Sequence, residues 1–177
     1  MLISSFSAKK IKDFENARGI KLPEQLKLFL IKYNGGETPN TSFSLNNVSS
    51  DIVAFYGIGE VTYSYNEIEI FECNDEKLLP IAFDSFGNDI LISLDFGKIF
   101  FRDHETDDFI ALAEDLRTFM QACKSEAIDP DMKKSIQERE EDLIKRGRAN
   151  IITDELRKMW QAEIDKFNSL SQEEVLF

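Results

Sequence analysis

Histidine occurs once in this chain of 177 residues, at His104; tryptophan also occurs once, and cysteine twice, at Cys73 and Cys123. A histidine-based triad would therefore have to assemble a nucleophile and an orienting acid around His104 alone. Its neighbours Asp103 and Glu105 do not supply that geometry, because flanking side chains on an extended segment point to opposite faces. The two cysteines form no short metal or redox motif and read as reduced, mostly buried thiols of a cytosolic protein. No run approaches the roughly 18 apolar residues of a membrane span. The start, Met1 to Phe6, is too short for an export signal before Lys9, Lys10 and Lys12 arrive. The expectation is a cytoplasmic protein with no membrane partner.

Basic residues are scarce in one place. Residues 60–115 hold fifteen acids against three bases, Lys77, Lys98 and Arg102, so this segment carries the whole net charge of −12. Phosphate backbones need lysine and arginine, so nucleic acid is excluded as a partner. A cationic protein fits, with fast and salt-sensitive association. Acidity for solubility alone is the plain alternative. The candidate contact residues are Glu60, Tyr63, Tyr65, Glu67, Glu69, Glu72, Asp75, Glu76, Asp103, Glu105, Asp107 and Asp108. Tyrosine beside carboxylates suits a protein interface, where arginine is a common counterpart.

Motifs of cofactor chemistry fail on inspection. Asp95-Phe96-Gly97 spells a kinase metal motif but has no glycine-rich or catalytic-loop companion, and a hairpin turn explains it. Gly57 and Gly59 lack the third glycine of a dinucleotide fingerprint. The acids of 103–108 lack the glycine and distal glutamate of an EF-hand. The expectation is a non-enzyme with no cofactor and no metal.

Periodicity sketches the elements. Ser7 can cap a helix carrying Ile11 and Phe14 that Gly19 closes. Pro23 suits the first turn of a second helix, with Leu26, Phe29, Leu30 and Tyr33 at 3.6-residue spacing, and Asn34-Gly35-Gly36 stops it. Thr41–Leu45, Ile52–Tyr56, Leu78–Phe83, Ile90–Leu94, Ile99–Arg102 and Phe109–Leu112 read as strands, with Pro80 suggesting an edge or a strand start. Residues 62–72 fit either period. Ala113–Lys124 reads as a helix with Leu116, Phe119, Met120 and Cys123 on its core face. Residues 125–130 read as a linker. Beyond it, Met132, Ile136, Leu143 and Ile144 mark one helix, and Thr153 caps another with Leu156, Met159, Trp160, Ile164 and Phe167. The expected fold is α+β: a mostly antiparallel sheet flanked by N-terminal and C-terminal helices over residues 1–124, plus a helical extension over 125–177.

Two of these segments belong together. Leu22-Pro23-Glu24-Gln25-Leu26 through Tyr33-Asn34-Gly35-Gly36 precedes Leu79-Pro80-Ile81-Ala82-Phe83-Asp84-Ser85-Phe86-Gly87-Asn88, and then Ile90–Leu94, Gly97-Lys98-Ile99 and Asp103-His104-Glu105. From about residue 7 to about 124, this ordered set resembles the SUKH superfamily, which contains the yeast cell-wall-synthesis regulator and many bacterial immunity proteins. The resemblance implies an α+β fold, no catalytic activity, and tight binding to a toxin, often a nuclease. A regulatory or scaffolding module of the same fold is the alternative. Within the motifs, Asn34, Pro80, Asp84, Gly87 and Asn88 read as scaffold: helix stop, strand boundary and turn.

Overall fold

A computed structural model describes residues 8–127, 134–169, 172 and 174–176. Ser7 and Met132, a cap and a helix residue expected above, lie outside those residues. The chain divides into two compact units: residues 1–126 with 174–177, and residues 127–173.

In the first unit, α1 (Ala8–Arg18) and α2 (Glu24–Lys32) form a helical hairpin. Gly19 takes the left-handed conformation that ends α1 (φ 64°). The turn between the helices is fastened by Glu15, which is buried. Its carboxylate accepts a hydrogen bond from the Leu22 N–H at 2.8 Å and pairs with Lys27 at 3.2 Å. Pro23 stands immediately before the first turn of α2, where a missing N–H costs nothing. Leu26, Phe29 and Leu30 bury the helix's inner face.

The sheet is built from β1 (Gly36–Leu45), β2 (Val48–Phe55), β3 (Phe71–Cys73), β4 (Glu76–Phe83), β5 (Asp89–Ser93), β6 (Ile99–Arg102), β7 (Phe109–Ala113) and the two-residue β8 (Lys124–Ser125). Its order is β7-β6-β5-β4-β2-β1-β8, with β3 also pairing β4, and every strand pair is antiparallel. The sheet curls. Phe43 of β1 meets Phe101 of β6 at 6.4 Å between ring centroids, although β2, β4 and β5 lie between them. The Asn46 amide at the β1–β2 turn reaches the Ala111 and Leu112 carbonyls of β7 at 2.8 and 3.3 Å. Helix α3 (Leu116–Ala122) closes the hollow, placing Phe119 at 5.3 Å from Phe43. Asp115 caps α3 by accepting the Thr118 N–H. The fold is α+β, as the sequence led us to expect.

Several local expectations need correction. Ile90, Ile92 and Leu94 alternate in the sequence, but in β5 Ile90, Leu91, Ile92 and Ser93 are all buried, because the sheet is covered on both sides here. Pro80 is neither at an edge nor at a strand start but in the middle of β4. It is tolerated because β3 pairs only as far as Leu78 and β2 begins pairing only at Ala82, so the ladder has a gap opposite Pro80. Strands β1 and β2 are longer than their apolar cores, joined by Asn46 and Asn47, both with positive φ. The stretch 62–72 resolves into a 3₁₀ turn at Tyr65–Glu67 followed by β3. Cys123 ends α3 as its cap and is half-buried. Its thiol donates to the Phe119 carbonyl, and burial pushes its pKa up to about 12. Ser125 belongs to a strand, not to a linker: its hydroxyl meets that of Thr41 at 2.8 Å.

The short tail returns to the first unit. The Tyr33 hydroxyl accepts from the Leu176 N–H at 3.0 Å and donates to the Glu174 carbonyl at 3.2 Å.

The second unit is a pair of helices, α4 (Ile136–Lys145) and α5 (Asp154–Asn168). Ser135 and Glu138 form a capping box at the start of α4, and Thr153 caps α5 by accepting the Leu156 N–H. The helices are joined laterally by Arg139–Glu163 at 2.9 Å and Arg157–Glu140 at 2.5 Å, and Arg139 lies over the Trp160 ring. No residue of either helix is buried. No helix among the described residues is long and apolar enough to cross a membrane.

Candidate functional site

Part of the acidic segment gathers at one end of the sheet. Phe83, Asp89, Arg102 and Phe109 are successive partners across β4, β5, β6 and β7. The Asp84–Asn88 turn and the 103–108 loop therefore leave the sheet side by side. Each is held by its own carboxylate.

Asp84 is 2% exposed. One oxygen accepts the Phe86 and Asn88 N–H groups at 2.9 and 2.8 Å. The other accepts the Ser50 hydroxyl at 2.6 Å and the Asn88 side-chain amide at 2.8 Å. A buried carboxylate needs such compensation. Asp103 does the same for its loop, accepting the Glu105 and Thr106 N–H groups. Asn88 links the two: its carbonyl oxygen accepts the His104 N–H at 3.1 Å and meets Nδ1 of His104 at 2.9 Å. The imidazole lies against Gly87, whose φ of 92° suits glycine.

Arg102 is the hub beneath the loop. It pairs with Asp89 at 3.0 Å and with Asp107 at 2.5 Å, and its guanidinium lies 4.4 Å from the Phe71 ring centroid. Phe71 in turn meets Phe109 at 6.3 Å. Burial raises the Asp89 carboxyl above its ordinary range although Arg102 opposes the rise.

The twelve expected contact residues fall into distinct places. Asp103, Glu105, Asp107 and Asp108 share the loop, where Glu105, Asp107 and Asp108 are exposed and Asp103 is half-buried. Tyr63 is half-buried near the same end, 5.3 Å from Phe83, and donates to Glu37 at 3.3 Å. Glu60 and Glu69 are exposed on the connection between β2 and β3. Glu72, Asp75 and Glu76 gather at the β3–β4 turn, by register the far end of β4 from Phe83. The Glu67 side chain lies outside the described residues. Tyr65 is the correction: it is 1% exposed, packed on Phe14 and Tyr56, and belongs to the core. Its place in a 3₁₀ turn points the ring inward, where an alternating strand would have put it beside Tyr63.

Sequence reasoning missed Phe86. It is 70% exposed at the tip of the Asp84 turn, next to the acidic loop. An aromatic residue beside Gly-Asn in a tight turn was the available signal. Phe96, 67% exposed, is its counterpart in the turn at the other end of β5.

The site offers hydrogen-bond acceptors, negative charge and an exposed ring. Among the described residues no group of three or more His, Cys, Asp or Glu side chains is arranged to hold a metal ion. No curated protein and no solved structure matches the chain. Residues 5–122 match the SMI1 / KNR4 family (SUKH-1). That match covers both helices of the hairpin, the sheet through β7 and α3, so the chain belongs to the SMI1 / KNR4 family (SUKH-1).

Proposed function

We propose that this chain is an immunity protein: it binds a cognate polymorphic toxin, a basic nuclease-type domain, and occludes it. Membership of the SUKH family is consistent with an immunity role. The observation that supports a cationic partner is the set of unspent carboxylates. Glu60, Glu69, Glu72, Asp75 and Glu105 are exposed and make no ion pair among the described residues. Two of the segment's three cations are already engaged within the fold, Lys98 with Glu114 and Arg102 with Asp89 and Asp107. Lys77 stands opposite Glu72 in the β3–β4 register and closes no ion pair among the described residues.

An exposed, uncompensated surface charge raises encounter rates with an oppositely charged partner and selects against wrong ones. It also matches the field a nuclease directs at its own substrate. The acids of the 103–108 loop sit on a rigid base, because Asp103 and Arg102 fix the loop's backbone and one flank. Little conformational entropy is then lost on binding.

Growth rescue tests this reading. Co-expression of the chain with the toxin domain encoded beside its gene should restore growth and yield a co-purifying complex. Failure of both rescue and co-purification would refute it.

A further inference from the structure

We propose that Phe86 is the anchor of the partner interface, with the 103–108 loop as its acidic rim. The partner it fits is a basic protein surface that offers an apolar pocket bordered by arginine or lysine. This rests on the toxin-binding reading and names the part of the surface that performs it.

Four observations converge on this end of the sheet. Phe86 has the greatest exposure among the described large apolar side chains, and it stands at the tip of a turn, not in a mobile-looking glycine run. The turn beneath it is over-determined: a buried carboxylate receives four hydrogen bonds, one from the Phe86 N–H itself. The bonds to Asp84 fix the backbone at the foot of the ring, which leaves only its two side-chain torsions to settle on binding. Rigid aromatic residues dominate interface energetics for this reason, since burying them adds much apolar contact at small entropic cost.

The third observation is charge. Asp51, Asp89, Asp103, Glu105, Asp107 and Asp108 surround this end, and Arg102 pairs with only two of them, Asp89 and Asp107, so the end keeps a negative excess. The fourth is the physical link: Asn88 bonds both Asp84 in the Phe86 turn and His104 in the acidic loop, and so ties the two together. An apolar centre ringed by charge is the anatomy of a specific, non-obligate interface.

Phe96 supplies a matched control. It has nearly the same exposure, in a turn of similar length, at the opposite end of β5. Neither ring supports the core, so either can be truncated without unfolding the protein.

The test measures affinity for the flanking-gene toxin domain, carrying an inactivating substitution, by calorimetry or surface-plasmon resonance. Phe86→Ala should weaken the complex about 30-fold or more, the scale of an interface anchor. Phe96→Ala should stay within about threefold. Hydrogen exchange on the complex should show protection at residues 84–88 and 103–108, not at 74–77 and 95–98. A wild-type complex indifferent to Phe86→Ala, or equally sensitive to Phe96→Ala, overturns this inference and leaves the toxin reading standing. Absence of any wild-type complex overturns both.

Discussion

Replacing Asp84 by alanine should cost about 2–4 kcal/mol, because it strands the neutral donors that one buried carboxylate now satisfies. The estimate follows from what the carboxylate touches. It is 2% exposed and receives four hydrogen bonds between 2.6 and 2.9 Å. Hydrogen bonds to charged groups each contribute roughly 1.5–3 kcal/mol, but the four share one acceptor and are not additive. Water can reach the Phe86 N–H and recover part of the loss; the Ser50 hydroxyl and the Asn88 amide are half-buried and recover less. Asp84→Asn is the informative companion. Its oxygen can still accept both backbone N–H groups, and its new NH₂ can donate to Ser50. That NH₂ would then face the Asn88 amide donor, so an intermediate loss of about 1–3 kcal/mol is expected. Urea denaturation followed by far-UV circular dichroism reads both values, with the slope unchanged if only stability moves. A loss under about 1 kcal/mol for Asp84→Ala would refute the argument that the turn is built on this charge.

Four further outcomes follow from single residues. The Tyr65 hydroxyl is buried with no hydrogen-bond partner among the described residues, so Tyr65→Phe should leave stability unchanged or raise it by up to about 1 kcal/mol, and a clear fall in melting temperature would show a partner for that hydroxyl. Glu15 loses solvation on burial, yet the Leu22 N–H and Lys27 outweigh that loss and hold its carboxyl below the ordinary 4.5. Its contribution is therefore complete above that value and disappears as pH falls through its lower folded pKa; the stability gap between wild type and Glu15→Ala should close in that acid range and persist at pH 7. Burial raises the Cys123 thiol to about 12, so in Cys73→Ser protein at pH 8 a thiol reagent should react only after denaturant is added. A Cβ at Gly57 would stand 2.1 Å from the Asn34 carbonyl oxygen, so Gly57→Ala should destabilise by several kcal/mol, read by thermal melting.

Much of the architecture was legible because it rests on strong local signals. Leu22-Pro23 and Asn34-Gly35 bracket α2, since proline suits a helix start and Asn34 and Gly35 both take positive φ. Asp95 to Lys98 turned the chain from β5 into β6 as read. The misses have physical causes. Asn46-Asn47 and Asn74-Asp75 make tight turns with positive φ but without glycine, so β1, β2 and β4 ran further than their apolar stretches suggested. Pro80 sits inside a strand because two other strands divide its edge between them, a tertiary fact with no local trace.

The site was half legible for a related reason. Charge along the chain identified the 103–108 loop and the acids of 60–76, but only the strand register separates those beside Arg102 from those at the β3–β4 turn. Tyr65 looked like Tyr63 in sequence and went to the core. Phe86 lies between Asp84 and Asn88, which read as scaffold, and only its exposure marks it out.

The most direct test of electrostatic capture is the rate of association with the flanking-gene toxin domain, measured by stopped flow across ionic strength. The wild-type rate should fall by about tenfold or more from low to high salt, and a Glu105→Lys, Asp108→Lys double variant should start slower and depend on salt far less. A rate that is flat in salt, or that charge reversal leaves unchanged, would contradict the claim that these carboxylates draw the partner in.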